Sequence, residues 1–348
     1  MIEVDKMGIM MLKKFVKYVS QNMLGMVGMS VYILADTYFI SVAVGTDGIT
    51  ALNLVLPVYN MIFAIGAMMG VGSAIRLVIE RNQEHPNADG YFFHALSWAL
   101  IVGLLFILVG IFFPDKLIAL LGGDAEIVAV GKNYTRIFMS FAPFFMWNYI
   151  CNAFVRNDGN PSIAMAATLF SSLFNIVFDY VFMFPLGMGM TGAALATAVS
   201  PIVSILICMV HYLSPKSSVS FHFMVPSVKM LISSCSLGVV AFVGEIASAV
   251  TTMGFNFVLL GLDGNTAVAA YGVIANTALV GTAIFNGVSQ GLQPLASEAH
   301  ARGEADEKRK ILIKSVLIGI VLAVVLIGGV WIFAPQITDV FNSEHSEQ

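Results

Sequence analysis

Residues 92–113 read FFHALSWALIVGLLFILVGIFF and contain no Asp, Glu, Lys or Arg. A helix of this length rises about 33 Å, enough to cross the roughly 30 Å hydrocarbon core of a bilayer. Further runs of the same kind give nine predicted membrane-spanning helices. They cover residues 15–40, 49–79, 92–113, 134–155, 162–184, 191–213, 231–260, 266–296 and 311–334. The sequence therefore predicts an all-α polytopic membrane protein.

The composition agrees with this class. The 348 residues are 58% hydrophobic and 11% charged, with a mean hydropathy of +0.87, whereas soluble domains have roughly 25% charged residues. A net charge of −4 without a basic patch gives no reason to expect a nucleic-acid partner. The three cysteines have no CxxC spacing, so neither a disulfide framework nor a zinc site is expected.

The distribution of Lys and Arg predicts the orientation. With a cytoplasmic N-terminus, 14 of the 17 basic residues fall in inside segments, including Arg156. The outside segments hold Lys116, Lys132 and Arg136. This bias follows the positive-inside rule and predicts a multi-pass protein of the cell (inner) membrane. His94 and His211, near the inner ends of their spans, are predicted to be interfacial.

An internal repeat is indicated by markers at one offset. Gly66, Gly70 and Pro114 each recur 221 residues later, as Gly287, Gly291 and Pro335. Matching markers at one offset predict duplicated six-span bundles in parallel orientation. The predicted division is 1–214 for a complete bundle and 215–348 for a partial one. We expect about nine of twelve helices in this chain, with three lying beyond Gln348.

Three carboxylic acids lie within predicted spans, where each costs roughly 2.5–3.5 kcal/mol. Asp36 and Asp179 occupy the outer halves of the first and fifth spans, and Asn175 shares a helix face with Asp179. At similar depth in one bundle, the two carboxylates could converge and bind a proton or Na⁺. The alternative is that either Asp only bonds a neighbouring helix or that Asp179 marks a helix end.

Other polar residues in the apolar runs are candidates for a cavity lining. Glu245 in the seventh span is a candidate second cation or substrate-charge site, or else a hydrogen-bond partner of a nearby Ser or Thr. Asn148 and Asn152 share one helix face. With Gln290 and Gln293, they either line a cavity or bond neighbouring helices.

Two enzyme-like patterns lack the structural context that their chemistry requires. Residues 187–192 fit GxGxxG but lie in an outside loop without a preceding strand. Residues 287–291 fit GxSxG but lie inside a span, not in a strand–turn–helix. Close packing of small residues explains both better, so no enzyme and no structural metal or cofactor is predicted.

Several motifs together resemble the multidrug and toxic compound extrusion (MATE) family. They are Leu34-Ala-Asp-Thr-Tyr38, Asn175 with Asp179, residues 186–194 (LGMGMTGAA), residues 156–161 (RNDGNP) and residues 290–294 (QGLQP). The resemblance implies two six-helix bundles around a V-shaped cavity and export of organic cations against Na⁺ or H⁺. It implies a cation site of Asp36, Asn175 and Asp179 with Asn148 or Asn152, and it makes Glu245 the seventh-span acid of some members.

We therefore expect a monomeric antiporter, coupled to Na⁺ or H⁺, that exports cationic or amphipathic small molecules such as drugs. A lipid-linked oligosaccharide flippase of the same superfamily is the alternative. It would be expected to have basic residues in its cavity to bind pyrophosphate, and the spans contain almost none. An intramembrane enzyme and a receptor role are weaker alternatives.

Overall fold

The computed structural model describes residues 2–84, 88, 90–220 and 223–341, and these residues form ten α-helices without a strand. The helices are α1 (Ile2–Ala43), α2 (Thr46–Asn82), α3 (Gly90–Phe112), α4 (Pro114–Leu120), α5 (Ala125–Ser140), α6 (Ala142–Asn157), α7 (Pro161–Met183), α8 (Gly189–Tyr212), α9 (Val228–Ala301) and α10 (Ala305–Phe341). The chain is a multi-pass membrane protein, because much of this helical surface is apolar. Over the described part of the chain, seven segments are long and apolar enough to span a bilayer. They are Lys13–Ala43, Thr46–Asn82, Gly90–Phe112, Pro161–Met183, Gly189–Tyr212, Val228–Thr251 and Ala305–Gln336.

The predicted span 134–155 is not one continuous helix. It is divided between α5 and α6, which meet at Phe141. Pro143 explains the break, since proline begins a helix readily but cannot continue one. Asp124 starts α5 by accepting hydrogen bonds from the backbone N–H groups of Glu126 (3.1 Å) and Ile127 (2.9 Å).

The predicted spans 231–260 and 266–296 both lie within α9, and this long helix bends back. A straight helix would separate Gly238 from Gly287 by about 74 Å. A Cβ atom on Gly238 would lie 2.0 Å from the Met68 carbonyl oxygen in α2, and one on Gly287 would lie 2.4 Å from Met23 Cα in α1. Met23 and Met68 are each only about 14 Å along their helices from Tyr32 and Tyr59.

The hydroxyl groups of Tyr32 and Tyr59 are 3.3 Å apart, which holds α1 and α2 together at that level. Both ends of α9 therefore pack against neighbouring helices of the same bundle, and α9 bends between Gly238 and Gly287. The nine-span count and the repeat stay predictions.

The main core lies within α1–α8 and is rich in aromatic rings. Tyr59 stacks on Phe138 at a centroid distance of 4.7 Å, and Phe138 packs on Phe145 at 4.8 Å. A smaller cluster joins α1, the second half of α9 and the start of α10, including Phe15, Val288 and Ile311. The rest of α10 exposes its apolar side chains, as expected for a surface that faces lipid.

A buried polar cluster fastens the connector between α8 and α9. Asp158 accepts hydrogen bonds from Ser217 Oγ (3.3 Å), the Ser218 N–H (2.9 Å) and His211 Nε2 (2.8 Å, to Oδ2). Arg81 reaches the same carboxylate at 3.6 Å. The ring of His211 is buried against Asp158, and its position at the membrane interface stays a prediction. His94 is buried as well.

Candidate functional site

Asp36 of α1 and Asp179 of α7 place their carboxyl groups next to each other, close enough to interact electrostatically. The residues are 8% and 0% exposed, and the Oδ1 atom of each has no hydrogen-bond partner in the protein. Two ionised carboxylates only accept hydrogen bonds and repel each other. A shared proton, or a cation between them, would remove that repulsion.

Asn175 holds Asp179 in place from one turn away on the same face of α7. In the orientation that satisfies all its neighbours, its amide nitrogen donates to Asp179 Oδ2 at 3.0 Å. Its amide oxygen then accepts from the N–H and the hydroxyl of Thr197, both at 3.3 Å. Thr197 of α8 therefore holds Asn175, and Asn175 in turn positions the Asp179 carboxylate on α7.

Pro201 lies one turn after Thr197 in α8. Proline has no N–H, so the carbonyl of Thr197 loses its usual helical donor. The Ser200 hydroxyl donates to that carbonyl instead, at 3.1 Å. The freed backbone group is therefore satisfied within the bundle, as a membrane interior requires.

Tyrosine side chains complete the surroundings of the carboxyl pair. Tyr32, one turn before Asp36, and Tyr134 of α5 are within electrostatic range of both carboxyl groups. Tyr32 also contacts Tyr59 through their hydroxyls. Sequence analysis did not identify Thr197 or these tyrosines. The i, i+4 spacing of Tyr32 and Asp36 was the available signal.

Asn148 and Asn152 lie apart from the carboxyl pair. Asn152 Nδ2 donates to Asn148 Oδ1 (2.8 Å) and to Ser204 Oγ of α8 (3.0 Å). Ser204 is seven residues after Thr197, which places this group about 10 Å further along α8. The amide pair is therefore a neighbour of the Asp36–Asp179 site and does not contact it.

The remaining candidates lie on α9. Glu245 is partly buried and within electrostatic range of Tyr149 in α6. Gln290 Nε2 is 3.5 Å from the sulfur of Met26 in α1, and Gln293 Nε2 is buried without a partner. The structure thus brings Asp36, Asn175 and Asp179 together and leaves the candidates on α9 outside that group.

A multi-pass helical bundle that buries paired carboxyl groups is typical of membrane proteins that move ions or substrates across the bilayer. The MatE family model matches residues 22–181 and 240–346. The chain belongs to the MatE family of transporters.

The relatives with similar sequences are export proteins of staphylococci. The multidrug export protein MepA of Staphylococcus aureus (strain NCTC 8325 / PS 47) is 27% identical over 330 residues, covering 93% of this chain and 72% of MepA. MepA of Staphylococcus saprophyticus is 28% identical over 328 residues, covering 93% and 70%.

Solved structures share the fold. A MATE crystal structure in complex with MaL6 has a TM-score of 0.88 at 24% identity, covering 96% of this chain and 75% of the other. An outward-facing multidrug resistance MATE family transporter of the MOP superfamily gives 0.88 at 23% identity, with the same coverage. At these identities the likeness supports the fold alone.

Proposed function

We propose that this protein is a cation-coupled antiporter that exports cationic or amphipathic small molecules, such as drugs, from the cytoplasm. The observation that carries the proposal is the burial of the neighbouring Asp36 and Asp179 carboxyl groups on two different helices, each with an oxygen that has no partner in the protein. The names of the staphylococcal relatives support multidrug export as the direction and the broad substrate class.

The chemistry of the pair supports coupling to a cation. Each carboxyl group has a buried oxygen with no partner in the protein, and oxygen ligands suit both H⁺ and Na⁺. A single cation entering the pair removes the repulsion between α1 and α7. Loss of that cation restores the repulsion and favours a different packing of the two helices. Inflow of H⁺ or Na⁺ would thereby favour the state that releases substrate outward.

The other candidate residues take secondary roles in this proposal. Asn175 positions Asp179, while Asn148 and Asn152 of α6 form a second polar group further inward, at the level of Ser204 in α8. Glu245, Gln290 and Gln293 serve the substrate or a second cation on the α9 side. The protein acts as a monomer in the cell membrane with its N-terminus in the cytoplasm. Residues 1–214 and 215–348 are its two structural units.

A flippase for lipid-linked oligosaccharides is not favoured. Such a protein needs basic side chains in its cavity to bind pyrophosphate. Among the side chains that the structure describes, Arg156 is the only Lys or Arg that is buried. It lies in the last turn of α6, next to the segment that the sequence predicts to be cytoplasmic. The relatives with export names also point away from this alternative.

The test is efflux of a fluorescent organic cation from vesicles containing the full chain, with Na⁺ and pH gradients imposed separately. Asp36→Asn and Asp179→Asn keep the size of each side chain and remove its charge. Each should abolish driven efflux while leaving the amount of folded protein unchanged. Glu126→Gln, at an exposed position, is the matched control and should transport normally. Normal efflux by both Asp variants would refute the proposal.

A further inference from the structure

A small, mostly apolar cavity with a few polar groups lies between α2, α3 and the first half of α9. It has a volume of about 10 Å³ and is lined by Met69, Ser73, His94, Ala95, Trp98, Met230, Leu231 and Ser234. One water molecule needs roughly 10–15 Å³ on this measure. The cavity is thus at the lower size limit for a single water molecule.

Two buried polar nitrogen atoms belong to the residues of this cavity. His94 Nε2 and Trp98 Nε1 are fully shielded and have no hydrogen-bond partner in the protein. The two residues are one turn apart on the same face of α3. His94 is 3% exposed, so bulk water does not serve its ring. Leaving such a group unpaired costs about 1–3 kcal/mol.

The connector fixes which nitrogen of His94 carries the proton. The Ser227 N–H donates to His94 Nδ1 at 3.3 Å, so Nδ1 acts as an acceptor. In a neutral imidazole the proton is then on Nε2. Indole Nε1 is also only a donor. The two unpartnered groups are therefore both N–H donors, and they require an acceptor.

We infer that one ordered water molecule occupies this cavity and accepts hydrogen bonds from His94 Nε2–H and Trp98 Nε1–H. Its own hydrogens have acceptors in the hydroxyls of Ser73 and Ser234, on α2 and α9. Buried waters typically make about three hydrogen bonds, and this site offers four. The water links three helices where the first half of α9 docks on the preceding bundle.

Beside the cavity, α2 and α9 otherwise pack through direct contact between their backbones. A Cβ atom on Gly72 would lie 2.0 Å from the Ser234 carbonyl oxygen, so α2 and α9 touch directly beside the cavity. Close approach of two helices leaves no room for a protein side chain to satisfy the two N–H groups. A water molecule meets this need because it is small enough and both accepts and donates.

The test is NMR of the full chain in detergent micelles, with ¹⁵N-labelled tryptophan. The protein has three tryptophans, so its indole N–H signals can be assigned by single Trp→Phe variants. We expect a nuclear Overhauser cross-peak between the Trp98 indole proton and a long-lived water. Trp147 is the matched control, because its indole N–H donates to the Leu96 carbonyl at 2.9 Å and should show no such peak.

Variants of the other partners separate a bound water from a chance signal. Ser234→Ala and His94→Phe each remove one partner of the water and should weaken or abolish the Trp98 cross-peak. Ser236→Ala, two residues along α9, should leave it unchanged. If the assigned Trp98 proton shows no water contact in the wild-type protein, the inference is wrong. It is equally wrong if replacing chloride in the buffer by another halide shifts the Trp98 indole signal, because the acceptor is then an anion and not a water molecule.

Discussion

Gly238→Ala tests how tightly α9 is docked on α2. A Cβ atom at this position would lie 2.0 Å from the Met68 carbonyl oxygen, whereas ordinary contacts begin near 3.4 Å. The two helices would have to separate by about 1.4 Å, which is the difference between these distances. The obstacle is backbone, so no side-chain rotation relieves it.

The expected cost follows from overpacking, which destabilises proteins by about 1–3 kcal/mol. Replacing Gly by Ala in a helix also contributes up to about 1 kcal/mol of stabilisation, which partly hides that cost. Gly244→Ala is the matched control. Gly244 lies on the same helix, and a Cβ atom there would meet nothing within 4 Å. The helix-propensity effect is common to both variants, so their difference measures the clash.

The assay is thermal unfolding of the purified proteins, compared at one scan rate. Gly238→Ala should unfold several degrees below Gly244→Ala, because a difference of about 1–3 kcal/mol in the free energy of unfolding shifts a melting temperature by several degrees. Gly244→Ala should equal or exceed the wild type. Equal melting temperatures for the two variants would refute the close docking of α9 on α2.

Two further predictions concern the side of the protein that the sequence predicts to be cytoplasmic. Asp158→Ala removes the acceptor that holds Ser217 and Ser218, so trypsin should cut after Lys216 several times faster than in the wild type. Asp115→Ala, which breaks an exposed ion pair, is the control. An unchanged cleavage rate in Asp158→Ala would contradict the role of Asp158. Lys14→Met breaks an ion pair with Glu298 (2.6 Å) that is partly exposed, so it should lower stability by less than about 1 kcal/mol. A melting-temperature loss as large as that of Gly238→Ala would show that this pair does more than a surface ion pair.

The sequence predicted the elements whose signal is local. Apolar runs without charge identified the membrane helices, as residues 92–113 show within α3. The convergence of Asp36 and Asp179 was also predictable, because topology placed both at similar depth. Asn175 followed from its i, i+4 relation to Asp179.

Other features depend on partners far away in the sequence. His94 and His211 are near helix ends, which suggested an interface, but the connector covers one and Asp158 binds the other. Asn152 shares a bundle with Asp179, yet its partner Ser204 lies about 10 Å along α8 from Thr197, and helical periodicity does not encode which level of α8 Asn152 meets. Thr197 appeared in a run of small residues that indicated only packing.

Cation movement driven by substrate tests the central claim most directly. Purified full chain is placed in vesicles, and a cationic substrate is added while ²²Na⁺ and lumenal pH are followed. The account predicts that wild-type and Glu126→Gln proteins move one of the two cations against substrate. Asp36→Asn and Asp179→Asn should move neither. Coupled cation movement that persists in the Asp36→Asn, Asp179→Asn double variant would contradict the account.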